Sequence, residues 1–435
     1  MLPSERNKEF RYFLVKMSRL YGSHTADQNS TTSRFALVVF LAVNCIVMQI
    51  NGLFHNWPNF IRICHSLMVE PIVFQLLTRI TMRYINNDEQ LVSDIHDTID
   101  KFYKNEEKEL DNQIILSAGV KLIEILSKSY MLLNFICFMI PPLSALIISW
   151  ISGEFIMSLP FWLPFTDPTT TFGFTINMSL VTFYSVMFYD ILISQDLFFI
   201  NYTMQVIPIG DIFIHKMTKL GEKLSKIREN QKLLATTQKY TFDNLQMTRR
   251  NLNIQEHSIK QLEKQIISLI KSYNSYNDYI SLIFPYMHYT TFVAISTSAL
   301  GIGLSILVAT FLSASIGISI MLIFTLQVLM TCFQGTIISY QNQKILDSAW
   351  DFPWYKMSVP MQKVWLQFIH QCQNSNELKI IIIGLLSMKS FTNVINGAYS
   401  YHIHTKFSIF VNILFLVLQK ISFFNLLLQS YRITP

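Results

Sequence analysis

Charge is what this chain has least of. Of 435 residues only 14% are Asp, Glu, Lys or Arg, while 51% are hydrophobic and mean hydropathy is +0.33. That balance excludes an ordinary water-soluble domain and indicates a polytopic membrane protein. The five cysteines, Cys45, Cys64, Cys137, Cys332 and Cys372, show no metal-ligand spacing, and none falls in the segment 152–176 expected outside the cell, so neither a disulfide framework nor a zinc site is expected. No phosphate-binding glycine loop and no nucleophile motif occurs, which argues against an enzyme and against any cofactor. His402 and His404 stand two apart and do not share a helix face, so metal ligation is not expected there. The first 34 residues lack an apolar run with a small-residue cleavage site, so the first span is expected to direct insertion.

Basic residues are absent from 154–174 and from 309–343, yet Arg6, Lys8, Arg11, Lys16, Arg19 and Arg34 crowd the amino terminus and twelve Lys or Arg fall within 216–271. Basic loops stay on the cytoplasmic side, which places the amino terminus inside. These charges flank spans and sit in no nucleic-acid-binding motif, so no nucleic-acid partner is expected.

Apolar runs then predict an all-α membrane protein with seven transmembrane helices, a cytoplasmic N-terminus and long cytoplasmic helical extensions. Residues 1–34 form the inner amino-terminal segment and 35–340 hold spans one to six with their extensions. Residues 341–378 form an inner helix, and 379–405 the seventh span. The first span is 35–54; the second, 60–80, is weakened by Arg62, His65 and Glu70. Residues 84–112 read as an inner connection with helical pieces. The third span, 130–151, carries Pro141 and Pro142, which predict a kink or break. A loop with Pro160, Trp162, Pro164, Pro168 and Gly173 follows, then the fourth span, 174–200, bearing Asp190 and Asp196. A paired-acid reading of those two competes with that of separate cavity-facing or interfacial carboxylates.

Past Pro208 a helical stripe of Ile209, Phe213, Met217, Leu220, Leu224 and Ile227 predicts that the fourth helix continues inward, and 229–253 reads as loop. Ile259, Leu262, Ile266, Leu269, Tyr273, Tyr276, Ile280 and Ile283 form a near-heptad seam leading into the fifth span, 285–311. The extensions are expected to pack on one another or on other subunits, and packing only within one chain is the competing reading. Small residues from Ser296 to Ala314 permit close approach around the turn into the sixth span, 316–340.

The segment 354–401 organises the rest. Met361, Val364, Trp365, Phe368, Ile369 and Cys372 recur at three- and four-residue spacing and make one apolar helix face, with Ser358 as N-cap and Pro360 tolerated in the first turn. A second helix is expected from about 379 to 401, on which Lys389, Asn393, Asn396, Ser400 and His404 step along one stripe. Polar groups in a bilayer face a bundle interior or a water-filled path, so this stripe reads as pore-lining. The outer halves of spans two, three, four and six offer His65, Met68, Ser144, Ile148, Ile151, Phe183, Tyr184, Met187, Met321 and Phe324 as walls of a pocket for a small lipophilic or volatile ligand. Ordinary helix packing competes with that reading for each of them. Asn177-Met178-Ser179 is a glycosylation sequon placed outside; Asn201-Tyr202-Thr203 falls inside and should go unused.

Asp351-Phe-Pro-Trp354-Tyr355, Met361-Gln-Lys-Val-Trp-Leu-Gln-Phe368 and the run from Ser390 to Tyr401, with Cys332, Gly335, Tyr340 and Ala349, resemble the carboxyl-terminal signature of insect odorant receptors. The resemblance is specific in the last third and architectural before it. It implies an odorant-binding subunit of a heterotetrameric ligand-gated cation channel, assembled with the odorant receptor co-receptor in the lipid of the plasma membrane of sensory dendrites. It further implies that Trp354, Tyr355, Met361, Val364, Trp365 and Phe368 belong to a subunit anchor. A gustatory-receptor-type channel is the nearest alternative, though its seventh-helix pattern is absent; a secondary transporter would show an internal repeat, and none is detected. The family pattern usually ends near Ser400-Tyr401. Here His402, Ile403, His404 and Thr405 follow, then an atypical apolar extension, 406–435, which is an eighth span or a non-functional splicing or gene-assignment extension.

Overall fold

A computed structural model describes residues 1–20, 28–56, 60–86, 89–159, 163, 166–167, 169–238, 245–311, 314–380 and 384–404. They are almost entirely helical: α1 (Pro3–Leu20), α2 (Gln28–Asn56), α3 (Phe60–Leu67), α4 (Glu70–Asn86), α5 (Glu89–Glu106), α6 (Leu110–Ser152), α7 (Thr171–Met204), α8 (Val206–Gln238), α9 (Leu245–Phe311), α10 (Ala314–Asp351), α11 (Val359–Gln373) and α12 (Met388–His404). Four stretches are long and apolar enough to cross a membrane: Leu110–Ser152, Thr171–Leu233, Met287–Thr310 and Ala314–Lys356. A shorter apolar helical stretch, Val39–Phe54, lies within α2. α2, the α3–α4 pair and α12 overlap the positions expected for the first, second and seventh spans. The expected extension 406–435 lies outside the described residues.

Local chemistry explains several boundaries. α6 ends at Gly153, whose φ of 71° closes a left-handed cap with its N–H on the Ser149 carbonyl, a conformation glycine adopts without a Cβ penalty. α7 starts at Thr170, whose hydroxyl accepts from the Gly173 N–H. The second span is divided: the helix stops at Leu67 and restarts at Glu70, and Pro71, lacking an N–H, fits that first turn, while Ile72 and Val73 both donate to the Val69 carbonyl. Pro141 and Pro142 do not interrupt α6; both are buried and the Ser144 hydroxyl donates to the Pro141 carbonyl at 3.0 Å.

Two expectations fail at polar or β-branched segments. Residues 229–238 and 245–253 are helical rather than loop, continuing α8 and preceding the seam of α9. Lys, Glu, Gln and Leu there are good helix formers despite their polarity. The seventh helix begins at Met388, not near 379: Lys379–Ile380 and Gly384–Leu385 pair as an antiparallel two-stranded hairpin. Gly384, at φ 78°, takes the left-handed conformation at the start of the second strand, which glycine adopts without a Cβ penalty. Ser387 then receives the Ser390 N–H at 3.4 Å and starts α12.

α9, about 100 Å long at 1.5 Å per residue, is the spine. It packs on α10, α8, α4, α3 and α12. Its inner-end seam residues Leu262, Ile266, Leu269, Tyr273, Tyr276, Ile280 and Ile283 are buried within this same chain, so the seam is an intrachain core rather than a face held out for a neighbour. At the opposite end small residues permit the α9–α10 turn as expected. A Cβ on Gly317 would lie 2.4 Å from the Ala309 backbone nitrogen, so the two backbones touch there.

Candidate functional site

The pocket candidates separate into two groups. His65, Met68, Tyr184, Met187 and Phe324 are buried, and Met321 packs against the core they share. Tyr184 also stacks on Phe188 with centroids 5.8 Å apart. His65 ties α3 to the segment after α6, its Nε2 lying 3.0 Å from the Ser158 carbonyl oxygen. Ser144 and Ile148 are half-buried, the Ser144 hydroxyl being used within α6. Ile151 and Phe183 do not join this group. They are 74% and 53% exposed and point outward from α6 and α7, because each lies on the helix face opposite the buried stripe. α9 was absent from the expected pocket, yet α3 packs on it and the Phe324 ring lies against Gly301, where a Cβ would come within 2.2 Å of Cε2.

Farther along α7 and α10 in the same bundle lies a buried polar cluster that periodicity did not reveal. Arg79 on α4 donates from Nη1 to Asp196 Oδ1 on α7 at 2.7 Å. The other carboxylate oxygen accepts from the Tyr130 hydroxyl on α6 at 2.9 Å and from Gln327 Nε2 on α10 at 3.2 Å. Gln327 Oε1 in turn accepts from the Ser298 hydroxyl on α9 at 2.9 Å. Four helices therefore meet at one carboxylate, and α9 joins them through Gln327. Asp196 is matched by an arginine, in line with the reading of separate carboxylates rather than the competing paired-acid one. The signal available in sequence was an Arg and an Asp each isolated in the inner part of an apolar span. A cavity of only about 10 Å³ borders Arg79, Tyr130, Asp196, Thr290 and Gln334, no larger than one water molecule. It cannot hold an organic ligand.

α12 presents two unlike faces. Ser390 and Ala398 are buried and Phe391, Val394 and Ile395 pack against the core on α9 and α10. Lys389, Asn393, Asn396 and Ser400 are all exposed on the other side, so among the described residues nothing covers this stripe. His404 lies in the last turn and its side chain is outside the described residues. The start of α12 is clamped to α10: the Met388 N–H donates to the Thr336 hydroxyl at 3.1 Å, and a Cβ on Gly335 would sit 2.4 Å from the Leu386 carbonyl oxygen.

The expected subunit anchor is mostly intrachain. Trp365 is fully buried, stacks on Phe352 with centroids 4.3 Å apart and donates from Nε1 to the Ala349 carbonyl at 3.1 Å. Phe368 packs edge-on against Tyr273 at 5.1 Å, and Met361 is buried beside them. Trp354 is half-buried. Tyr355 and Val364 face outward with Val359 and Leu366, and those remain available to another chain. Ser358 holds the cap position of α11 by its backbone, but its hydroxyl donates to Glu263 instead of capping. Burial pushes the Cys372 thiol up to about 12, leaving it unreactive at neutral pH.

α1 docks beneath the bundle. Arg11 pairs with Asp100 and reaches the His96 carbonyl, Arg6 pairs with Glu124 at 2.7 Å, and Asn7 and Tyr103 both hydrogen-bond Gln205. Burial, followed by the nearby Arg11 charge, lowers His96 to about 4, so its ring is neutral where it meets the Tyr202 hydroxyl at 3.0 Å. Among the described residues no group of His, Cys, Asp and Glu is arranged to hold a metal.

The comparisons agree with this architecture. The sequence profile described as 7tm Odorant receptor matches residues 59–399. Among solved structures, the insect olfactory receptor OR5 from Machilis hrabei superposes with a TM-score of 0.64 at 12% identity, over 91% of this chain and 97% of that one. No curated protein matches in sequence.

Proposed function

The chain belongs to the seven-transmembrane odorant receptor family, and from that premise we propose that it is the ligand-binding subunit of an odorant-gated cation channel, completed by an odorant receptor co-receptor in the plasma membrane of sensory dendrites. It is a membrane receptor and not an enzyme. The observation that carries the channel reading is α12: one face is seated on α9 and α10, while Lys389, Asn393, Asn396 and Ser400 form an exposed polar stripe that lipid could not satisfy. A water-filled path shared with other subunits satisfies it.

Met68, Tyr184, Met187, Met321 and Phe324 supply the ligand site in this reading. Methionine side chains repack readily, so a small volatile enters by displacing them rather than by filling an open cleft. Opening follows only to the extent that the ligand binds the open arrangement more tightly than the closed one. Tyr355, Val359, Val364 and Leu366 supply the face toward neighbouring subunits.

The test is whole-cell recording from cells expressing this chain with an odorant receptor co-receptor, full length and truncated after Thr405, against a panel of aliphatic esters, alcohols and terpenes. Ligand-evoked cation current that requires both chains supports the reading. Uptake of a volatile by this chain alone, without current, would overturn it.

A further inference from the structure

α10 passes every part of the machinery in turn. Phe324 lies against the pocket group, Gln327 one turn further in reaches Asp196, Gln334 lines the small cavity beside Arg79, and Gly335 with Thr336 clamps the start of α12. The Arg79–Asp196 pair is 3% and 12% exposed in its two side chains, and an ion pair so deeply placed adds little net stability compared with apolar packing of equal volume. What it adds is geometry, because the carboxylate accepts simultaneously from α4, α6 and α10 and cannot keep all three bonds if α10 shifts. The space bordering the cluster is only about 10 Å³, so the helices are close-packed at this level and α10 has little room to slide with the bonds intact.

We propose that Arg79, Tyr130, Asp196 and Gln327 form a closed-state latch that holds α10, and through it the start of α12, until ligand binding near Phe324 displaces that helix. This rests on the channel reading above. These are positioning residues: none needs to touch ligand or ion. Removing one donor to Asp196 leaves the ion pair in place but lowers the cost of leaving the closed arrangement.

The test uses the full chain with its co-receptor and an agonist found in the volatile panel, comparing wild type, Tyr130→Phe, Gln327→Met and, on the outward face of α10, Leu322→Ala. These substitutions are chosen over loss of Asp196 because each keeps the charges paired and the volume nearly unchanged, so delivery to the surface is retained and is quantified alongside. Expected for Tyr130→Phe and Gln327→Met is current without ligand and a half-maximal concentration lowered by about tenfold, the scale of one hydrogen bond to a charged group. Leu322→Ala stays at the wild-type value. Unchanged concentration dependence with reduced surface delivery would show a merely structural cluster and overturn the latch; so would a shift to higher concentration. Absence of current from the wild-type pair would instead overturn the channel reading itself, and the latch with it.

Discussion

Adding one methyl group at Gly335 tests whether α12 is rigidly clamped to α10. The new Cβ would lie 2.4 Å from the Leu386 carbonyl oxygen, 2.8 Å from Leu386 Cβ and 2.9 Å from Leu386 Cγ. Ordinary contact begins at 3.4 Å, so the backbone oxygen must retreat by about 1 Å (3.4 less 2.4) and no rotamer change relieves it. The same residue 386 donates to the Leu378 carbonyl and precedes the amide that Thr336 receives, so hairpin and helix start must move together. Overpacking of this kind costs about 1–3 kcal/mol, while glycine to alanine in a helix returns up to about 1 kcal/mol. The net expectation for Gly335→Ala is lower thermal stability of the detergent-extracted protein and a displaced concentration–response curve. Gly303 on α9 is the matched control, since a Cβ there meets nothing within 4 Å and Gly303→Ala should be neutral or stabilising. Equal stability and equal gating for the two variants would refute the clamp.

Three further outcomes follow from two buried polar groups. Asn177 is fully buried, its Nδ2 donating to the Thr166 hydroxyl and the Gly173 carbonyl and its Oδ1 accepting from the Leu163 N–H, so the sequon should carry no glycan and glycosidase treatment should leave gel mobility unchanged. Asn177→Ala, which removes all three bonds, should increase protease cleavage between α6 and α7. His96 has its ordinary value near 6.5 when unfolded and about 4 when folded, so the unfolded chain binds the extra proton between those limits. Stability should therefore fall as pH drops from about 6.5 to 4, by at most roughly 3 kcal/mol, and level off below; in His96→Gln that part of the slope should vanish, as read by thermal melts across pH.

Hydropathy and spacing made most of the helices legible, because a bilayer demands long apolar runs and because inward extensions such as Ile209 to Ile227 keep one apolar stripe. Ile151 and Phe183 were misplaced since, in a membrane, the face toward lipid is as apolar as the core and composition cannot separate them. Trp365 and Phe368 show the matching limit at the inner end: an apolar face says that something covers it, and here α8, α9 and α10 of the same chain do. Arg79 with Asp196 escaped because their partnership is between residues 117 apart, visible only when α4 and α7 are brought side by side. The pairing of Lys379–Ile380 with Gly384–Leu385 escaped because strands of two residues are too short to show an alternation, and the left-handed backbone of Gly384 leaves no mark in hydropathy.

The pore assignment of α12 is open to the most direct test by substituted-cysteine accessibility, aided by the burial of all five native cysteines. With the chain co-expressed with its co-receptor, a water-soluble thiol reagent applied during ligand-evoked current should block Asn393→Cys, Asn396→Cys and Ser400→Cys channels and spare Ala398→Cys, which faces the core. Block at Ala398→Cys with indifference along the stripe would contradict the account and place the ion path elsewhere.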